Sequence, residues 1–167
     1  IGVFSPILLN LICLEPGQAM FLPAGELHAY LDGVGIELMA NSDNVLRGGL
    51  TPKYIDMPER LNVLNFEERE INILFAGEID ECECAYESFA EEFSLSVISV
   101  TEEIGYRSAD RRSVEIILCT DGRATITDLG KNESVFVERG KSIIIPAVVK
   151  TYRIEGDATF YKAAVPL

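Results

Sequence analysis

Three observations make the chain a mainly β protein, a sandwich or barrel of short strands. Hydrophobic residues are 48% of its 167, enough to build a real core and too many for global disorder. Apolar runs rich in β-branched and aromatic residues recur along it, among them "FSLSVISV", "SVFVE" and "TFYKAAV". Turn residues separate these runs, so that short strands follow one another roughly every 8–12 residues, as in all-β sandwiches and barrels.

In chain order, "LLNLICL" (Leu8 to Leu14) reads as a strand that stops at Glu15-Pro16-Gly17. "AMFL" leads into a second turn, Pro23-Ala24-Gly25-Glu26, and "LHAYL" leaves it; Gly33 and Gly35 then precede "IELMA". The character changes at "PERLNVLNFEEREIN" (residues 58 to 72). Leu61 and Leu64 there recur at helical spacing, and Pro58 suits a first turn, which predicts a short helix. Residues 76 to 92 are acidic and weakly periodic, and read as a surface connection. From Phe93 onward seven strand-like segments form a second β unit: "FSLSVISV", "SVEIILCT", "RATITD", "SVFVE", "SIIIP", "KTYRIE" and "TFYKAAV". Ile116, Leu118, Ile126, Val135, Val137, Ile143, Ile145 and Ile154 are its core candidates by period two. The expected organisation is therefore 1–57, a connection over 58–92, and 93–167.

An internal echo links the two β units. Gly140 and Pro146 repeat the spacing of Gly17 and Pro23, with "KSIII" standing where "QAMFL" stood. Continuing the frame sets Val148 against Gly25 and Thr151 against His28, so the second unit keeps the turn skeleton and loses the histidine.

Charge and cysteine usage remove several functional classes. A net charge of −13 repels a phosphate backbone, so nucleic acid is not an expected partner. No apolar run approaches the roughly 20 residues of a membrane helix, and no membrane partner is expected. Cys13, Cys82, Cys84 and Cys119 form no disulfide framework; Cys82-Glu83-Cys84 lacks a second Cys or His pair with which to bind metal. Reduced thiols suggest a cytoplasmic protein. The chain opens on Ile1 without a basic leader segment, and reads as a segment of something longer.

His28 is the only histidine. It ends the frame Gly17-x(5)-Pro23-x-Gly25-x(2)-His28, just after a turn, where a strand would direct its ring to one face of a sheet. A neutral imidazole there suits a zinc or iron ligand; a lone histidine satisfied within a core is the plainer alternative. Arg47 and Lys53 are two cations close together in an acidic chain. They suit a phosphate or a developing oxyanion, Arg as a bidentate fork and Lys as a point charge, or else they are ordinary surface charges. Glu37, between Ile36 and Leu38, lies on a polar face or in a cavity. Asp43 suits a turn with Ser42 and Asn44.

The His28 frame resembles the second half of the cupin signature, whose histidine is a metal ligand; the first half, a His-x-His cluster with a Glu, has no counterpart here. The run "HAYLDGVGIELMANSDNVLRGGLTPK" (His28 to Lys53) is more specific. Its His-Ala-Tyr, Glu37 with Met39, Ser42-Asp43-Asn44, Arg47, and Gly49 through Thr51-Pro52-Lys53 resemble the C-terminal signature of type I mannose-6-phosphate isomerases, with Gly48 where the family usually has alanine. The lead-in "FSPILLNLICLEPGQAMFLPAGE" is similar too; beyond residue 66 the likeness is general.

The resemblance implies cupin-like jelly-roll units: the last strands of a catalytic cupin barrel (1–57), a helical link, and a second cupin-like domain (93–167). It implies zinc-dependent interconversion of mannose 6-phosphate and fructose 6-phosphate, with one zinc ion per full-length chain and a phosphorylated hexose as partner. His28 would be a zinc ligand and Arg47 the active-site arginine, while Lys53, Glu37, Asp43 and Tyr30 would line the pocket. The remaining ligands, a glutamine, a histidine and a glutamate, would come from upstream sequence. The fragment alone is therefore expected to be inactive and to self-associate, or to pair with the missing part, through exposed strand edges. The alternative is a non-catalytic cupin module that binds a sugar or a partner; another metal-dependent cupin enzyme would leave Arg47 through Lys53 unexplained.

Overall fold

A computed structural model describes residues 4–42, 45–47 and 51–167. The chain divides into two compact units, one of residues up to Gly35 with Asn41–Leu74, the other of Ile36–Ala40 with Phe75–Leu167.

The N-terminal unit has little regular structure. Its described elements are helix α1 (Ser5–Leu8), the two-residue strand β1 (Gln18–Ala19) and helix α2 (Met57–Val63). The sequence-expected strands over "LLNLICL", "LHAYL" and "IELMA" are not formed among the described residues. Alternation specifies a strand only where a neighbour completes its ladder. Helix α2 forms where expected but is shorter. The Asp56 carboxylate accepts from the Glu59 N–H at 3.0 Å, and Pro58 occupies the first turn. After Leu64 turns extended, the Asn65 N–H donates to the Gly25 carbonyl at 3.0 Å. The helix ends because its next backbone donor is taken by the turn before His28. Among the described residues none before Cys82 is buried.

The C-terminal unit is an antiparallel β structure, and the mainly β fold class holds. Its strands are β2 (Leu74–Glu78), β3 (Glu83–Tyr86), β4 (Ser94–Val100), β5 (Tyr106–Arg107), β6 (Glu115–Asp128), β7 (Glu133–Glu138), β8 (Ser142–Ile145) and β9 (Tyr152–Ala164). The order is β2-β3-β4-β9-β6-β7, with β5 also on β9 and β8 also on β6. β2 and β3 lie in the stretch expected to be a surface connection; Tyr86 and Cys82 are buried there, so the acidic composition disguised an inward-facing strand.

"SVEIILCT" with "RATITD", and "KTYRIE" with "TFYKAAV", are each one long strand rather than two. β6 and β9 pair along almost their whole length, and each changes partners midway: β6 from β8 to β7, β9 from β5 to β4. The glycines that read as turns are bends in these strands. Gly122 (φ 72) and Gly156 (φ 139) lie where a Cβ would come within 2.1 Å of the Asp157 carbonyl and 2.7 Å of the Arg123 carbonyl, room that only glycine leaves.

A register shift between Cys119 and Asp121 corrects part of the expected core. Before this bulge the odd residues Glu115, Ile117 and Cys119 point inward; after it the even residues Ala124 and Ile126 do. Ile116, with 48% of its surface exposed, and Leu118 therefore face outward. Val135, the third residue of strand β7, is also exposed. Ile126, Val137, Ile145 and Ile154 are buried, and Ile143 packs against the core they form with Ile98, Ile117, Tyr152 and Phe160.

The echo between the units is structural. Gly17 and Gly140 have φ of 84° and 85°. Each sits in a turn closed by the same bond, Gln18 N–H to Glu15 carbonyl and Lys141 N–H to Glu138 carbonyl, both 3.0 Å. The proline turns match as well: the Glu26 N–H donates to Pro23 and the Val149 N–H to Pro146, at 3.4 and 3.0 Å.

Candidate active site

His28 follows the Pro23–Glu26 turn. Its Nδ1 lies 2.9 Å from the Glu26 carbonyl; a carbonyl only accepts, so Nδ1–H donates. That fixes the tautomer of the neutral ring and leaves Nε2 with the lone pair, as in imidazoles that ligate a metal. The turn is held from below. Besides the Asn65 bond to Gly25, Arg69 reaches the Glu26 carboxylate at 3.6 Å, and a Cβ at Gly25 would meet the Val63 carbonyl at 2.7 Å. Tyr30 stands edge-on to the His28 ring, with centroids 6.0 Å apart. Both rings are exposed.

Of the sequence-predicted site residues, the structure brings His28 and Tyr30 together. Arg47 and Lys53 are exposed residues of the same unit, and among the described residues neither forms an ion pair. The Lys53 N–H is held by the Thr51 hydroxyl at 3.2 Å. Glu37 is exposed and belongs to the C-terminal unit through its segment Ile36–Ala40. Asp43 lies outside the described residues. A cleft of about 240 Å³ in the C-terminal unit, lined by Asp80, Glu81, Cys82, Gly105, Tyr106 and Arg107, contains none of these candidates.

The chain is similar to known proteins. The model of the mannose-6-phosphate isomerase cupin domain matches residues 83–164. The mannose-6-phosphate isomerase of Escherichia coli K12 is 40% identical over 156 residues, 89% of this chain and 39% of that protein. The chain is similar to the C-terminal part of mannose-6-phosphate isomerases. It spans about two fifths of the length of the curated isomerases it matches. A probable mannose-6-phosphate isomerase of Caenorhabditis elegans is 34% identical over 171 residues, 99% of this chain and 41% of that protein. The Salmonella typhimurium mannose 6-phosphate isomerase, crystallised with fructose 6-phosphate and zinc, superposes with a TM-score of 0.84 at 34% identity, covering 99% of this chain and 42% of that one.

The zinc in that isomerase structure raises the question of fit here. His28 fits one ligand, with Nε2 presented outward. Among the described residues no group of three or more His, Cys, Asp or Glu side chains is placed to hold a metal, where a catalytic zinc typically has three protein ligands. The described residues thus fit a single ligand and not a whole site. Among the described residues no helix is long and apolar enough to cross a membrane, and the four cysteines are free thiols.

The sequence reading did not single out the most buried charged groups: Glu83, Arg112, Glu115 and Lys162, in the interior of the C-terminal unit. Glu115 and Lys162 each interrupt an apolar strand run, "SVEIILCT" and "TFYKAAV". An inward charge inside such a run was the signal available. Burial pushes the Tyr106 and Tyr152 phenols well above the ordinary tyrosine range. For Tyr106 the next causes are Tyr152 and then Glu83, and for Tyr152 the Glu115 carboxylate. Burial likewise pushes up the Cys82 and Cys119 thiols.

Proposed function

We propose that the chain is the C-terminal part of a zinc-dependent, cytoplasmic mannose-6-phosphate isomerase of mannose metabolism. Residues 1–57 would supply the closing strands of the catalytic cupin, 58–92 the connection, and 93–167 a second cupin-like domain. The observation that carries the reading is the His28 turn: a histidine with Nδ1 tied to a backbone carbonyl, at the head of a run through Lys53 that resembles the family's signature.

Interconversion of mannose 6-phosphate and fructose 6-phosphate moves a proton between C1 and C2 through an enediolate. His28 would be one ligand of a zinc site whose other ligands lie in sequence outside this chain. Zinc bound there supplies Lewis acidity toward the sugar oxygens. Arg47 offers a fixed cation where negative charge develops, and Lys53 a point charge for the phosphate. Tyr30, edge-on to His28, together with Glu37 and Asp43, would line the pocket. The exposed apolar side chains of the N-terminal unit, Ile7, Leu11, Leu31 and Phe66 among them, suit a half-barrel that closes against further chain; alone, it would be inactive and would self-associate through them.

Arg47→Ala in the whole protein tests the reading. Turnover should fall roughly 10²–10³-fold, the worth of a donor aimed at developing charge, with zinc content unchanged. Wild-type kinetics would remove Arg47 from the site.

A further inference from the structure

Inside the C-terminal unit, one row of inward-facing residues runs Ile143, Ile117, Lys162, Ser96, Ala85 across β8, β6, β9, β4 and β3. Lys162 is the only cation in this row, and its neighbours are oxygen acceptors. Its Nζ is 2.6 Å from Glu83 Oε1 and 3.9 Å from Glu115 Oε1, and it donates to the Tyr106 hydroxyl at 3.2 Å. The surroundings of Glu83 are complete: Ser96 Oγ donates to Oε1 at 2.6 Å and the Tyr106 hydroxyl to Oε2 at 2.8 Å. Glu115 holds a second cation, Arg112, at 3.1 Å, with both side chains only 4% exposed. The Arg112 guanidinium donates to the Pro146 and Val149 carbonyls and lies over the Tyr152 ring at 5.2 Å. Two buried carboxylates thus face two buried cations, and the formal charge is zero.

The two cations are held differently. Arg112 is fixed by three backbone carbonyls of the 145–149 segment as well as by Glu115. Among the described contacts, Lys162 Nζ meets only side-chain oxygens of Glu83, Tyr106 and Glu115 and the face of the Tyr106 ring, 5.6 Å to the centroid. Carboxylates and an aromatic face are the usual surroundings of a bound ammonium ion.

We propose that Glu83, Ser96, Tyr106 and Glu115 form an alkylammonium-binding site in the C-terminal unit, which the chain fills with its own Lys162. The tethered cation balances Glu83 and joins strands β3, β4, β5, β6 and β9 at one point. Removing the ammonium strands a buried carboxylate, which is strongly destabilising, whereas removing both charges is far milder.

The test uses the 167-residue chain and the near-ultraviolet circular dichroism of its buried tyrosines. Lys162→Ala should lower the melting temperature by roughly 10 °C or more. Propylammonium chloride at roughly 0.1 M should return several degrees of that loss, because a ligand that binds only the folded state stabilises it. Sodium chloride at equal concentration should not, and wild type should respond alike to both salts. Adding Glu83→Gln to Lys162→Ala should recover stability without amine and abolish the response to it. A melting temperature for Lys162→Ala within about 2 °C of wild type, or equal effects of the two salts on it, would overturn the proposal. Should Lys162→Ala fail to fold, a folded double variant supports the site and an unfolded one overturns it.

Discussion

A single hydrogen bond, from His28 Nδ1 to the Glu26 carbonyl, orients the one imidazole of the chain, and the turn that supplies this carbonyl is pinned by Asn65 and Arg69. At this scale the sequence was informative where spacing encodes a turn. Gly17, Pro23 and Gly25 announced the bends, and the matching bonds at Gly140 and Pro146 show how local that code is. It was silent about Glu83, Arg112, Glu115 and Lys162, because Glu83, the neighbouring pair Arg112 and Glu115, and Lys162 become one network only when β3, β6 and β9 come together. Arg112 is the sharpest example. It is 4% exposed and paired with an equally buried Glu115, so Arg112→Ala should cost about 3–5 kcal/mol by leaving the carboxylate unpaired. Denaturant unfolding measures this. A cost under about 1 kcal/mol is what an exposed pair would give and would mean that the network is open to water.

Among the elements, β6 shows most clearly what periodicity could and could not reveal. Its apolar alternation was legible, but the extra residue at Thr120 was not, and that residue inverts which side chains face inward. Ile117→Ala should therefore cost about 2–5 kcal/mol, as expected for a fully buried aliphatic, while Ile116→Ala costs less than half as much. Equal losses would contradict the register. Gly122→Ala tests the bend, since a Cβ there would meet the Asp157 carbonyl at 2.1 Å with φ at 72°. The melting temperature should fall by at least about 5 °C, more than the usual helix or strand penalty for that change. In the N-terminal unit, the apolar run Leu8 to Leu14 did not become a strand, because a strand's partners are not encoded in its own residues.

For the molecule as a whole, the C-terminal unit should be alkali-sensitive in a defined direction. Tyr106 and Tyr152 keep their protons when folded to a pH well above the ordinary tyrosine value. Below about pH 10 both phenols are neutral in the folded and the unfolded chain, and stability is unaffected by them. Above it the unfolded chain ionises while the folded one does not, so the folded state binds more protons and stability falls as pH rises. The slope approaches about 1.4 kcal/mol per pH unit for each phenol. Unfolding followed through the tyrosinate ultraviolet band should show ionisation and loss of structure together; a plateau in stability through pH 11 would mean that these phenols titrate freely. The central claim is that this chain lends a zinc ligand to an isomerase site that other sequence completes. The most direct test is zinc content and mannose 6-phosphate isomerisation of the whole protein carrying His28→Ala, beside wild type. The account predicts zinc in wild type, lost from the variant together with its activity, while the tyrosine circular dichroism of the C-terminal unit is unchanged. Stoichiometric zinc and undiminished turnover in the variant would contradict it.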